Sequence, residues 1–188
     1  MKRTAVALLL AASLATPVIG MADEVKDAIK DALQAYEKGD VAQAKENLGF
    51  ATQLLNEMGA DSLAKVLPKP LPGWEATEAE SSGAGAALFG GGVQATRTYN
   101  KDEKYVQVEI LGDSPMMSQM MMIMGNPALA GSMGKMVRVG KQRGILDSEG
   151  KIMIMINNRF MVSIDGEADA ADKMAYAEAV DYTALQAL

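Results

Sequence analysis

The chain has no cysteine and no histidine in 188 residues, and only 5% of its residues are aromatic. The first two gaps remove whole chemistries. Without imidazole or thiolate there is no Ser-His-Asp or Cys-His nucleophile system, no structural zinc, no type-1 copper centre and none of the common non-haem iron sites. Disulfides cannot hold the fold either, so its stability rests on an apolar core, which a chain of this length can supply. Positive charge is also short, with 18 Lys+Arg against 24 Asp+Glu. An acidic chain lacks the basic face that neutralises phosphates, so nucleic acid is not expected as a partner. Carboxylates, Lys, Tyr and Ser remain for catalysis, and no constellation of them stands out. The expectation is a non-enzymatic protein without a cofactor.

What is present begins with two cations, Lys2 and Arg3, ahead of an apolar run from Ala5 to Ile19, with Gly20 and Ala22 framing a cut before Asp23. Residues 1–22 read as a secretory signal peptide, too short and too rich in Ala, Ser and Thr for a membrane span of about 20 residues. Its removal takes away Lys2 and Arg3 and moves the net charge from −6 to −8. A periplasmic protein is expected, able to contact a membrane but not to span it.

From Asp23 the pattern is helical. Val25, Ile29, Ala32, Leu33 and Tyr36 recur at spacings of three and four; "KGD" (Lys38 to Asp40) interrupts, and Ala44, Leu48, Ala51, Leu55 and Met58 resume the period. Two amphipathic helices and a tight turn follow, with Gly39 supplying a left-handed residue and Asp40 capping the second helix. The hairpin is placed at residues 23–66. "LPKPLPGWE" (Leu67 to Glu75) then stops helix with three prolines and a glycine and forms a linker over 67–75. Strand patterns dominate after it. Val93, Ala95, Arg97 and Tyr99 alternate against Gln94, Thr96 and Thr98, and beyond the polar "KDEK" turn Val106, Val108 and Ile110 alternate with Tyr105, Gln107 and Glu109. "KMVRVG" (Lys135 to Gly140) reads as a further strand. Ile152, Ile154 and Ile156 share one face, Asn157-Asn158 suit a type I′ turn, and Phe160, Val162 and Ile164 return. A final helix from Ala168 on turns Met174, Ala177, Val180 and Leu185 inward. The assembly expected over 76–188 is an α+β domain: an antiparallel sheet with helices packed on one face, preceded by the N-terminal helical hairpin.

Tyr36, Gly39, Asp40, Ala44, Leu48 and Ala51 together resemble one tetratricopeptide-type helical hairpin, in which small alanines let helices approach closely. No second copy follows, and a solenoid needs about three repeats to bury its faces, so the resemblance implies a single appendage rather than an array. From Leu71 onward, "LPGW", "FGGG" and "DSP" before a helix are similar to small exported proteins of proteobacteria and to the Mog1/PsbP-like architecture. That resemblance implies a fold and no activity.

The stretch from Ser114 to Met136 holds eight of the 15 methionines. Ser114 and Pro115 suit a helix start and Gly125-Asn126-Pro127 a stop, and at about 100° per residue Met116, Met117, Met120, Met121 and Met124 fall on one stripe. Three readings fit. The stripe packs as core, with methionine as adaptable filler. It serves as a plastic surface for a partner or apolar ligand, with Met117 and Met121 as contacts beside Leu88, Phe89 and Tyr36. Or Met116, Met120 and Met124 ligate Cu(I) or Ag(I), since thioethers are soft ligands. Core packing is the preferred reading.

Weaker signals are turns and edges. "SMGK" (Ser132 to Lys135) lacks the companion motifs of serine acyl enzymes. Asp165, Glu167 and Asp169 open like a calcium loop, but Ala170 and Tyr176 stand where glycine and glutamate are needed. Lys135, Arg138, Lys141 and Arg143 cluster in an otherwise acidic chain, where they either hold an anionic ligand or guard a sheet edge. The function expected is a binding or accessory protein contacting an envelope protein or an apolar ligand, with Cu(I)/Ag(I) handling as the alternative.

Overall fold

A computed structural model describes residues 21–83 and 92–188. Residues 1–20, which carry most of the signal-peptide reading, lie outside it, as do Leu88 and Phe89.

Period-two alternation builds the sheet. β1 (Glu75–Ala76) and β2 (Glu80–Ser82) are short and both pair with β3 (Val93–Lys101). β3 pairs antiparallel with β4 (Lys104–Gly112) from Val93↔Gly112 to Lys101↔Lys104, turning at Asp102 with φ 53°. β5 (Lys135–Val139) and β6 (Gln142–Leu146) form a second hairpin. β7 (Ile152–Ile156) and β8 (Phe160–Asp165) form a third, and Asn157 and Asn158 hold φ 51° and 54°, as a type I′ turn requires. The strand order is β1-β3-β4-β8-β7-β6-β5, with β2 alongside β3 and every pairing antiparallel. One face is the main core, on which Val108, Ile110, Ile154, Val162 and Ile164 are fully buried.

Helices cover that face. α1 (Met21–Glu37) and α2 (Val41–Val66) form the N-terminal hairpin, and the last turns of α2 place Ala60, Leu63 and Val66 in the sheet's own core. α5 (Ala170–Ala179) and α6 (Tyr182–Ala187) complete the layer with Tyr176, Ala177 and Leu185. A single terminal helix was the expectation. The chain instead becomes extended at Val180 (φ −66°, ψ 132°), and Asp181 starts a new helix by accepting the Ala184 N–H at 2.9 Å. α3 (Met116–Gly125) is followed directly by α4 (Pro127–Met133), which the methionine pattern did not announce; Asn126 caps it by accepting the Ala128 N–H at 3.0 Å. Pro115 rather than Ser114 occupies the N-cap of α3, without a side-chain cap, and the Ser114 carbonyl accepts the Met117 N–H at 2.9 Å.

The proline-rich stretch is anchored rather than loose. Leu67 and Trp74 are buried, the Tyr99 hydroxyl donates to the Pro68 carbonyl at 2.6 Å, and the Leu71 N–H donates to the Tyr176 hydroxyl at 3.2 Å. Packing therefore runs unbroken across residue 66, from the hairpin into the sheet.

The hairpin turn follows from two residues. Gly39 has φ 80°, a region where a Cβ is strained, and the Asp40 side chain accepts the Gln43 N–H at 3.0 Å. Asp40→Ala is expected to lower the unfolding free energy by about 1 kcal/mol, measured by urea denaturation.

Candidate functional site

Small residues form the seam between α1 and α2. Val25, Ala28, Ala32 and Ala35 of α1, and Ala44, Ala51 and Leu54 of α2, are all buried. Alanine at these positions lets the two backbones approach closely. The larger apolar residues turn outward: Ile29, Leu33 and Tyr36 are 47%, 56% and 67% exposed, and Val41, Leu48 and Leu55 are 52%, 51% and 51% exposed. The helical pattern identified these residues correctly as apolar stripes but not their destination, since the alanines bury in their place.

At about 100° per residue, Ile29, Leu33 and Tyr36 span an arc of about 60°, and Val41, Leu48 and Leu55 about 40°. Each stripe is displaced about 80° from its own alanine seam in the same rotational sense along its helix. Because the helices run antiparallel, equal rotations bring both stripes to the same side of the pair. The hairpin thus carries one continuous apolar face of six large side chains. Contiguous exposed apolar faces mark interaction surfaces more often than isolated exposed apolar residues do.

Charged residues flank this face. Asp23, Asp27 and Asp31 form a row on the far side of α1, joined there by Glu24, while Lys26 and Glu37 border the stripe on α1 and Lys45 borders it on α2. Lys30 reaches Asp27 at 3.0 Å, an exposed pair of little energetic weight. Phe50, 51% exposed, stands apart on the opposite side of α2.

The methionine segment divides. Met117 is 5% exposed and packs with Leu111 against Met155 and Met161 on the sheet face opposite the main core. Its side chain makes its contacts within the fold. Met120 is half-buried, and Met121 and Met122 are 42% and 72% exposed. The side chains of Met116 and Met124 lie outside what the structure describes. Sequence reasoning missed Met155 and Met161 as the neighbours of Met117; their alternation in β7 and β8 was the available signal.

Titratable groups serve the fold. Burial pushes Tyr99 up to about 12, against the lowering influence of the adjacent Arg97 guanidinium. Burial also raises Tyr176 and Tyr182, so all three phenols stay protonated at neutral pH, and Tyr182 donates to the Ala177 carbonyl at 2.6 Å. A hydrogen bond to Lys104 holds the Asp169 carboxyl below its ordinary value. Among the described residues no three His, Cys, Asp or Glu side chains gather as metal ligands, and no helix is long and apolar enough to cross a membrane.

No protein-family model, curated protein or solved structure matches the chain.

Proposed function

We propose that this is a non-enzymatic binding or accessory protein of the bacterial periplasm, exported by the segment 1–22, and that it holds an envelope protein or an apolar ligand on the outer face of its helical hairpin. The observation that carries the reading is the set Ile29, Leu33, Tyr36, Val41, Leu48 and Leu55, each between 47% and 67% exposed on one side of the hairpin. With alanine packed in the seam, these six large side chains are left together at the surface as an apolar face. The absence of histidine and cysteine supports the non-enzymatic part. Removing the hairpin outright is not a clean test, because Leu63 and Val66 belong to the sheet's core. The test is recovery of envelope proteins or apolar ligands with the purified protein and with a Leu33→Glu/Leu48→Glu variant. Recovery is lost in the variant if the face binds, and unchanged recovery contradicts the proposal.

A second reading, Cu(I) or Ag(I) held by thioethers, has one observation in its favour. Met155 and Met161 are cross-strand partners and Met117 packs against them, so three thioethers from three elements share one cluster. Packing is the stronger account, since methionine fills irregular apolar space well. Titration with Ag(I), followed by methionine methyl NMR, is expected to leave the Met117, Met155 and Met161 signals in place at one equivalent. A saturable shift of all three together would establish the metal site instead.

A further inference from the structure

The β5–β6 hairpin carries a second feature, separate from the apolar face. Arg138 and Arg143 are direct cross-strand partners. Directly opposed residues in an antiparallel pair place their Cβ atoms about 5 Å apart on the same sheet face, and like charges so placed destabilise the pairing. Both arginines are exposed. Lys141 stands in the connecting turn, beside Gly140 with φ 55°. Among the described residues, none of these three cations enters a salt bridge or a side-chain hydrogen bond. This occurs in a chain with 24 acidic residues, where a counter-charge was readily supplied.

Protection of the sheet edge explains only part of the cluster. β5 is the terminal strand of the sheet, and a cation on it discourages pairing with another chain. Lys135 and Arg138 fit that role, pointing to opposite faces of β5. Arg143 does not, because it lies on β6, which stands between β5 and β7 in the sheet order rather than at its edge. Opposing Arg138 with a second arginine there adds repulsion without shielding the edge. The same two cross-strand arginines, with no salt bridge or side-chain hydrogen bond of their own, suit a tetrahedral phosphate oxyanion. Met136, 51% exposed, lies two residues from Arg138 on the same face and supplies an apolar shoulder, and Met136, Arg138, Lys141 and Arg143 line one shallow depression.

We propose that Arg138 and Arg143, with Lys141, form a binding site for a phosphate group, carried either by a soluble phosphate compound or by an anionic lipid headgroup. The anion relieves the repulsion between the two arginines, so the empty site is a point of built-in instability. Thermal unfolding in inorganic phosphate and in sodium chloride of equal ionic strength tests this. Phosphate is expected to raise the midpoint of the wild-type protein above the chloride value. Arg143→Gln should raise the midpoint in chloride by about 1–3 °C and abolish the extra phosphate increment. Arg143→Lys, which keeps the charge but loses the fork, should keep the low midpoint and lose most of the increment. Sedimentation with phosphatidylglycerol vesicles then separates the sources: binding that Arg143→Gln removes identifies a headgroup, and no binding alongside a retained phosphate increment identifies a soluble phosphate. Equal midpoints in phosphate and chloride would overturn the proposal. So would an Arg143→Gln variant that is no more stable than wild type in chloride, or one that keeps the full phosphate increment.

Discussion

Replacing Tyr176 with alanine is expected to lower the unfolding free energy by about 3–5 kcal/mol, the range for deleting a fully buried aromatic side chain. Its ring is completely buried, meets Trp74 edge-on at 5.3 Å and lies 4.3 Å from Tyr99. Its hydroxyl accepts the Leu71 N–H, so one side chain ties α5, the proline-rich stretch and β3 together. Tyr99, in ring contact with Tyr176, is itself held by a hydrogen bond to the Pro68 carbonyl. Tyr176→Phe keeps the ring contacts and leaves the Leu71 N–H without its acceptor, an expected loss of about 1 kcal/mol. Urea denaturation of the two variants separates ring from hydroxyl; equal losses would mean that the hydrogen bond, not the packing, holds the linker.

The opposite pattern is expected on the hairpin. Leu33→Glu with Leu48→Glu exchanges strong helix formers for residues of similar propensity at positions more than half exposed, so stability should change by about 0.5 kcal/mol or less. Binding should fall far more. A charge placed at the centre of an apolar interface removes a contact of hot-spot size, about 2 kcal/mol or more for each site, which is at least about 30-fold in affinity. Calorimetry of unfolding and a binding measurement on the same sample make the comparison. A variant that binds normally, or one that unfolds, would each remove the separation between stability and function on which the reading depends.

Much of the fold was legible from residue order alone. Strands β3, β4, β7 and β8 were legible from side-chain alternation, and the Asn157-Asn158 and Gly39-Asp40 pairs mark turns between elements. β6 was hidden because "QRGIL" has no alternation to read. Gly144 sits in it for space, since a Cβ there would meet the Met153 carbonyl oxygen at 2.9 Å. The break between α5 and α6 was hidden as well, because Met174, Ala177 and Leu185 keep a helical spacing across it.

The candidate site was legible in composition but not in direction. Ile29, Leu33 and Tyr36 lie only about 80° from Val25, Ala28, Ala32 and Ala35 around the helix. Periodicity marks both stripes as apolar, and side-chain volume favours the wrong one as the buried seam. The alanines take the seam because their small side chains let the two backbones approach closely. The methionines posed a similar problem: a stripe at helical spacing does not reveal that Met117 is buried against the sheet while Met122 faces outward.

The most direct test of the central claim is site-specific photo-crosslinking in living cells, with a benzophenone amino acid placed in turn at Leu33, Leu48, Asp27 and Asp31. Discrete adducts from positions 33 and 48, with none from 27 and 31, are the predicted result. Adducts of equal yield from both sides of the hairpin, or none from positions 33 and 48, would contradict it.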